Sequence, residues 1–300
     1  MNRSQVYVVL AAIGFSFILI FATILKRIGM SSFEQLFFRL VFSLAILSSW
    51  LVYRRKLRIT GKKRAYFFVA IGLTYAIFAL SGLSAIAFGT PIAVSVALVY
   101  TQPIFTALIS FATKKEKPSP SNTTVVLLGV IGAFLVSGLD AANPQINLGI
   151  VFPVLAGLLY AVYLWLKRRA PRDGYTPLQV LFNTYLFAIP VLLAAWAISR
   201  SLSVEPLFVG TITPDAAQLF LLFLFALLST VLPYGLLNYV RVEEVSPTTE
   251  GMLLLGDPLL HTLWAMLFFG QYISTVQYVG AALILASAAI SLKLTAKGSS

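Results

Sequence analysis

Two dipeptides in strongly apolar surroundings, Gln102-Pro103 and Asp257-Pro258, place a polar side chain directly before a proline. A proline inside a helix cannot donate its backbone hydrogen bond, and its ring clashes with the carbonyl four residues back. Kinks at Pro103 and Pro258 would therefore free the carbonyls of Val99 and Leu254. At membrane depth such bare backbone is tolerated only where protein or a wet cavity satisfies it. A kink that serves packing alone is the competing reading. Asp257 and His261 are four residues apart, so they share one helix face, one turn from each other. A carboxylate far from both ends of an apolar helix is costly and by default signals function. Its quieter alternatives are an ion pair with Arg39 or capping of a broken helix. Glu250 follows Ser246-Pro247 by one turn, where the helix dipole favours an acid, and its reading is structural.

Aromatic residues cluster in the same parts of the chain: Tyr75, Phe78, Tyr100, Tyr160, Tyr163 and Tyr234, with Tyr239 and Trp264 beside them. Aromatic walls with a few polar groups suit apolar and aromatic amino acids better than sugars or phosphates. Some of these rings are equally suited to the membrane boundary. A phosphate carrier would need paired deep cations, and Arg39 stands alone. With one His, no Cys and no clustered carboxylates, no metal site or nucleophile–base pair can be assembled, so neither enzyme nor cofactor is expected. No charged ring or selectivity loop points to a channel.

The elements that position these residues follow from composition. Hydrophobic residues make up 59% of the 300 and charged residues 11%, with a mean hydropathy of +0.91. A soluble domain carries about 25% charged residues, so the solvent here is lipid. Apolar runs of spanning length fall at 6–25, 33–53, 65–88, 91–112, 123–139, 148–166, 177–198, 215–239, 247–269 and 274–292. They lack the alternation of strands. The first run is read as an uncleaved helix, since no small-x-small cleavage site precedes Lys26-Arg27. The net charge of +12 is not a nucleic-acid footprint, because the cations sit between the runs. With both termini in the cytoplasm, 18 of the 22 Lys and Arg fall in inside segments, notably 54–64, 114–117 and 167–172. Only Lys26, Arg27 and Arg200 fall outside, as the positive-inside rule requires.

The chain also repeats. Leu25-Lys26-Arg27 is matched by Leu166-Lys167-Arg168, Thr90-Pro91 by Ser246-Pro247, Pro103 by Pro258, and Gly129 by Gly280. The halves 1–140 and 141–300 each hold five spans, an odd number, so they sit in the membrane with opposite topology. Inverted repeats with helices interrupted at matching places point to a transporter site. Small residues at four-residue spacing (Gly129, Ala133 and Ser137, and Ala282 with Ala286) predict close packing of the fifth and tenth helices.

Ser84–Pro91 with Pro103, Gly129-x-x-Gly132-Ala133, and Pro258 with Gly270 and Gly280-Ala281 resemble the ten-helix EamA-type exporters of the drug/metabolite transporter superfamily. Within that group the chain looks most like the aromatic amino acid exporters. The resemblance implies an all-α integral membrane protein of ten transmembrane helices, built as two inverted five-helix repeats. It also implies a place in the bacterial inner membrane, as a monomer or weak homodimer, and export of amino acids by alternating access. Tyr75, Phe78, Tyr100, Gln102, Tyr160, Tyr163, Tyr234, Asp257 and His261 are the expected substrate contacts. Export of another small metabolite is the alternative. Proton exchange through Asp257 stands against facilitated export, which the lack of a second deep carboxylate favours.

Overall fold

The computed structural model describes residues 1–87, 98–113, 119–136, 148–170, 174–201, 213–241, 243–269 and 274–298. Pro91, Gly270 and the basic residues Lys114, Lys115 and Lys117 lie outside them. Asn2 opens the first helix by accepting from Gln5 N while the Gln5 side chain bonds back to Asn2 N. That helix runs as α1 (Arg3–Ser16) and, past a turn at Phe17, as α2 (Ile18–Arg27). Gly29, at φ +87°, ends it, with Met30 N donating to Leu25 O at 3.0 Å; only glycine takes this backbone without strain. Ser31 and Glu34 form the capping box of α3 (Ser32–Tyr53). There follow α4 (Lys62–Ala87), α5 (Gln102–Ala112), α6 (Pro120–Val136), α7 (Val151–Arg168) and α8 (Pro177–Ser201). Asp215 caps α9 (Ala216–Ala226), which passes through a π turn at Leu227–Val231 into α10 (Leu232–Tyr239). The last elements are α11 (Pro247–Leu254), α12 (Gly256–Phe269) and α13 (Thr275–Gly298).

Among the described residues, 7 helical stretches are long and apolar enough to cross a membrane, and three shorter apolar helices complete the ten runs that hydropathy predicts. Their most apolar windows are between 33% and 50% buried. The remaining apolar surface has no water-compatible explanation and faces lipid.

Packing places α4 between α7 and α8, and α3 between α8 and α9. α1 lies against α10, α11 and α12, and α5 against α7 and α11. α6 and α13 form a tight pair, as the small residues predict, but through a different face of α13. A Cβ on Gly132 would sit 2.8 Å from Gly280 O, and one on Gly129 3.0 Å from Ser287 Oγ. Ala282 and Ala286 are exposed. Gly280, Ile284 and Ser287 share the 3.6-residue face that meets α6, and the alanines do not.

Contacts gather the N-terminus and the described basic residues near 58, 167 and 241 at one end of the bundle. Asn2 Nδ2 donates to Glu244 O, and Ser4 Oγ to Glu244 Oε2 at 2.6 Å. Asn183 of α8 holds Thr60 N and Arg58 O, both at 2.9 Å. At the opposite end Gln218 Nε2 donates to Ile28 O at 2.9 Å.

Candidate functional site

Both proline motifs coincide with a break in the helical hydrogen-bond ladder of their spans. The chain is helical at 98–99, turns at Tyr100 and Thr101, and restarts as α5 with Pro103 in its first turn. In the second half α11 ends at Leu254, Leu255 turns, and α12 restarts with Asp257 and Pro258 in its first turn. A first-turn proline lacks only a donor that a helix start leaves unbonded anyway. Stopping one helix and restarting another is therefore cheaper than bending one across a lost hydrogen bond. The Val99 carbonyl lies against Gly157 of α7, where a Cβ would stand 2.9 Å from it. Gln102 Nε2 donates to Thr106 Oγ1, and Gln102-Pro103 packs on Gly251 of α11.

The two breaks meet. The Tyr100 hydroxyl donates to Asp257 Oδ2. His261 Nδ1 lies 3.0 Å from Asp257 Oδ1, close enough for an ion pair but out of line for a hydrogen bond. Asp257 Oδ1 and both His261 nitrogens are buried without a hydrogen-bond partner. One turn further along α12, Trp264 Nε1 donates to Ser16 Oγ of α1 at 2.7 Å and stacks on Phe17. The pairing of Asp257 with Arg39 weighed from the sequence is not formed. Arg39 instead sets its guanidinium over the Phe225 ring, 4.8 Å from the centroid. The two residues sit on faces of α3 and α12 that other helices separate, a placement that linear sequence does not encode.

Five of the aromatic residues singled out above come together in one buried cluster. Tyr75 is fully buried and packs on Tyr163, Tyr185 and Tyr234 at centroid distances of 5.5, 5.1 and 5.2 Å. Phe78 stacks on Tyr160 at 4.7 Å with an interplanar angle of 8°. Phe15 closes against Tyr234 at 4.7 Å. The hydroxyls of Tyr75 and Tyr185 lie close to each other but out of line for a full hydrogen bond, and meet no other partner among the described residues. Such an unmet buried group costs about 1–3 kcal/mol, so two in one cluster call for an explanation. Val99 and Thr101, on either side of Tyr100, lie against Gly157, one turn from Tyr160 on α7, which sets the Tyr100–Asp257–His261 group alongside the cluster. Tyr185 and Phe15 were not anticipated. Tyr185 sits in a span with no proline break or carboxylate to flag it.

Glu250 has the structural role expected of it, by a stronger means than the helix dipole. It is buried, and its carboxylate takes Lys167 Nζ at 2.5 Å, Arg168 Nε at 2.9 Å and Arg168 Nη2 at 2.5 Å. Lys167 Nζ also donates to Leu237 O, and Arg168 Nη1 to Val245 O, both at 3.0 Å. The group ties α7, α10 and α11 together at the basic end of the bundle, beside a cavity of about 250 Å³.

Comparison with known proteins places this geometry. The EamA-like transporter family matches residues 2–138 and again residues 147–293. An uncharacterized transporter of Archaeoglobus fulgidus is 25% identical over 201 residues, 67% of each chain. The threonine/homoserine exporter RhtA of Salmonella typhimurium is 26% identical over 198 residues, 66% of this chain and 61% of that one. The Escherichia coli exporter of the same name is 25% identical over the same span. A solved crystal structure of a protein 16% identical superposes with a TM-score of 0.77 over 99% of both chains, a likeness of fold.

Proposed function

Because the chain belongs to the EamA-like transporter family, we propose that it exports amino acids from the cytoplasm by alternating access, through the tyrosine cluster beside the two broken spans. The observation that carries this reading is the cluster itself. Tyrosines from α4, α7, α8 and α10 bury two hydroxyls that have at most each other as partner among the described residues, alongside an unmet oxygen of Asp257 and the unmet nitrogens of His261. A closed site built for a small polar–aromatic ligand leaves such groups waiting, and a packing core does not. Tyr75, Phe78, Tyr160, Tyr163 and Tyr234 would wall the site. Tyr100, Gln102, Asp257 and His261 would supply its polar contacts at the breaks of Pro103 and Pro258.

Two inverted five-span halves, 1–140 and 141–300, fit the packing. Exchanging the first five spans for the last five carries the α1–α10 contact onto α7–α4. The same exchange carries α4–α8 onto α9–α3, and α1–α11 onto α7–α5. The family's two matches, one in each half, agree with it. The gathering of basic segments at one end supports cytoplasmic termini in a bacterial inner membrane.

The aromatic walls favour aromatic and other apolar amino acids. The names of the exporters from Salmonella and Escherichia favour a second reading, small hydroxy-amino acids such as threonine. The deciding experiment is flux of labelled phenylalanine, tyrosine, leucine, threonine and homoserine in proteoliposomes. Saturable flux of the first three is expected; flux confined to threonine and homoserine would move the substrate class. Absence of saturable flux for all five would sink amino-acid export.

A further inference from the structure

Arg39 lies in α3, well inside a membrane span, and is only 7% exposed. Its carbonyl accepts from Ser43, but its Nε has no partner, and no ion pair reaches it among the described residues. The carboxylates of the spans are committed elsewhere. Glu34 Oε2 accepts from Ser31 N at 2.7 Å, Glu250 holds Lys167 and Arg168, and Asp257 takes Tyr100 beside His261. The face of Phe225 offsets part of the burial of this cation, yet an intramembrane arginine without an anion is costly and marks a ligand path. Leu36 and Leu40, which flank Arg39 on α3, pack into the same buried core as Tyr75, Tyr163 and Tyr234, so a cation with no anion among the described residues borders the aromatic cluster.

We infer that Arg39 binds the carboxylate of the transported amino acid, an assignment that rests on the amino-acid reading above. The guanidinium offers a planar fork matched to a carboxylate, which an ammonium does not.

The test uses matched probes on purified full-length protein: L-phenylalanine, L-threonine, the amine phenethylamine, which lacks the carboxylate, and N-acetyl-phenylalanine, which keeps it. Binding is read from ligand-induced thermal stabilisation, for wild type, Arg39→Gln and Arg39→Lys. Wild type should bind its preferred amino acid about ten- to hundred-fold more tightly than an amine lacking the carboxylate. N-acetyl-phenylalanine should keep the part of that preference owed to the carboxylate. Arg39→Gln should bring the ratio near one, and Arg39→Lys should retain part of it. A wild type that binds the amine as well as the amino acid, or that binds no carboxylate, overturns the inference. So does Arg39→Gln with an unchanged ratio. If Arg39→Gln does not fold, the wild-type ratio and Arg39→Lys decide. Arg39-dependent carboxylate binding without flux in proteoliposomes would sink export and leave this assignment standing. Saturable flux with the ratio unchanged in Arg39→Gln would do the reverse.

Discussion

Replacing Glu250 by Gln keeps the shape of the side chain and removes its charge, leaving Lys167 and Arg168 buried at one site without this carboxylate. Their side chains are 4% and 12% exposed, so water from the adjoining cavity can take over only part of the lost partner's role. Breaking a buried ion pair by removing one member costs about 3–5 kcal/mol. The carbonyls of Leu237 and Val245 still hold one hydrogen of each cation at 3.0 Å, which places the cost toward the lower end. At roughly 2–4 °C per kcal/mol for a large domain, the melting temperature in detergent should fall by on the order of 10 °C. Adding Lys167→Met removes one of the two stranded cations and should recover part of that loss, a coupling that a double-mutant cycle reads directly. A Glu250→Gln protein that melts within about 2 °C of wild type, with no recovery on adding Lys167→Met, would refute the claim that this carboxylate holds the basic end of the bundle.

Tyr75→Phe deletes a buried hydroxyl without a full hydrogen bond, so it should leave the melting temperature unchanged or raised by about 1 kcal/mol in stability. It should also lower saturable flux, and loss of stability without loss of flux would give the hydroxyl a packing role instead. For Asp257→Asn, flux is measured with and without an imposed pH gradient. Facilitated export through a single deep carboxylate leaves wild-type flux indifferent to the gradient, whereas an acceleration that the Asn protein alone lacks would establish proton exchange. Because the chain has no Cys, single cysteines report topology cleanly. Exposed Lys63→Cys and Arg169→Cys should react with impermeant reagents only from the cytoplasm, and Thr213→Cys only from the other side; the reverse pattern would overturn the orientation.

The spans were legible because lipid imposes a strong rule: about 20 apolar residues are needed wherever the chain crosses, and the helices found follow the apolar runs closely. The two proline breaks were legible for a related reason, since an apolar run cannot hide a missing backbone donor. Which face of a span turns inward was much less readable. A soluble helix reveals its buried face by contrast with a polar one, but a lipid-facing helix is apolar all round. Tyr185 was missed on that account, and Ala282 and Ala286 were placed on the packing face that Gly280 and Ser287 occupy. Charge was also ambiguous. Lys167 and Arg168 count correctly toward the basic end, yet nothing local distinguishes them from exposed loop cations such as Lys63, and only Glu250, 82 residues beyond Arg168, makes them structural. Arg39 and Asp257 were natural partners as the deep cation and deep carboxylate, and the fold keeps each for something else.

The central claim is that an amino acid occupies the tyrosine cluster during transport, and substrate protection of a cysteine placed there tests it most directly. Phe78→Cys would stand where Phe78 now stacks on Tyr160, and Leu108→Cys, on an outward face 56% exposed, serves as the control. A small thiol reagent should modify Phe78→Cys in working proteoliposomes, and a saturating transported amino acid should slow that modification severalfold while leaving Leu108→Cys unaffected. Modification of Phe78→Cys at a rate that no amino acid changes, in protein that still transports, would contradict the account.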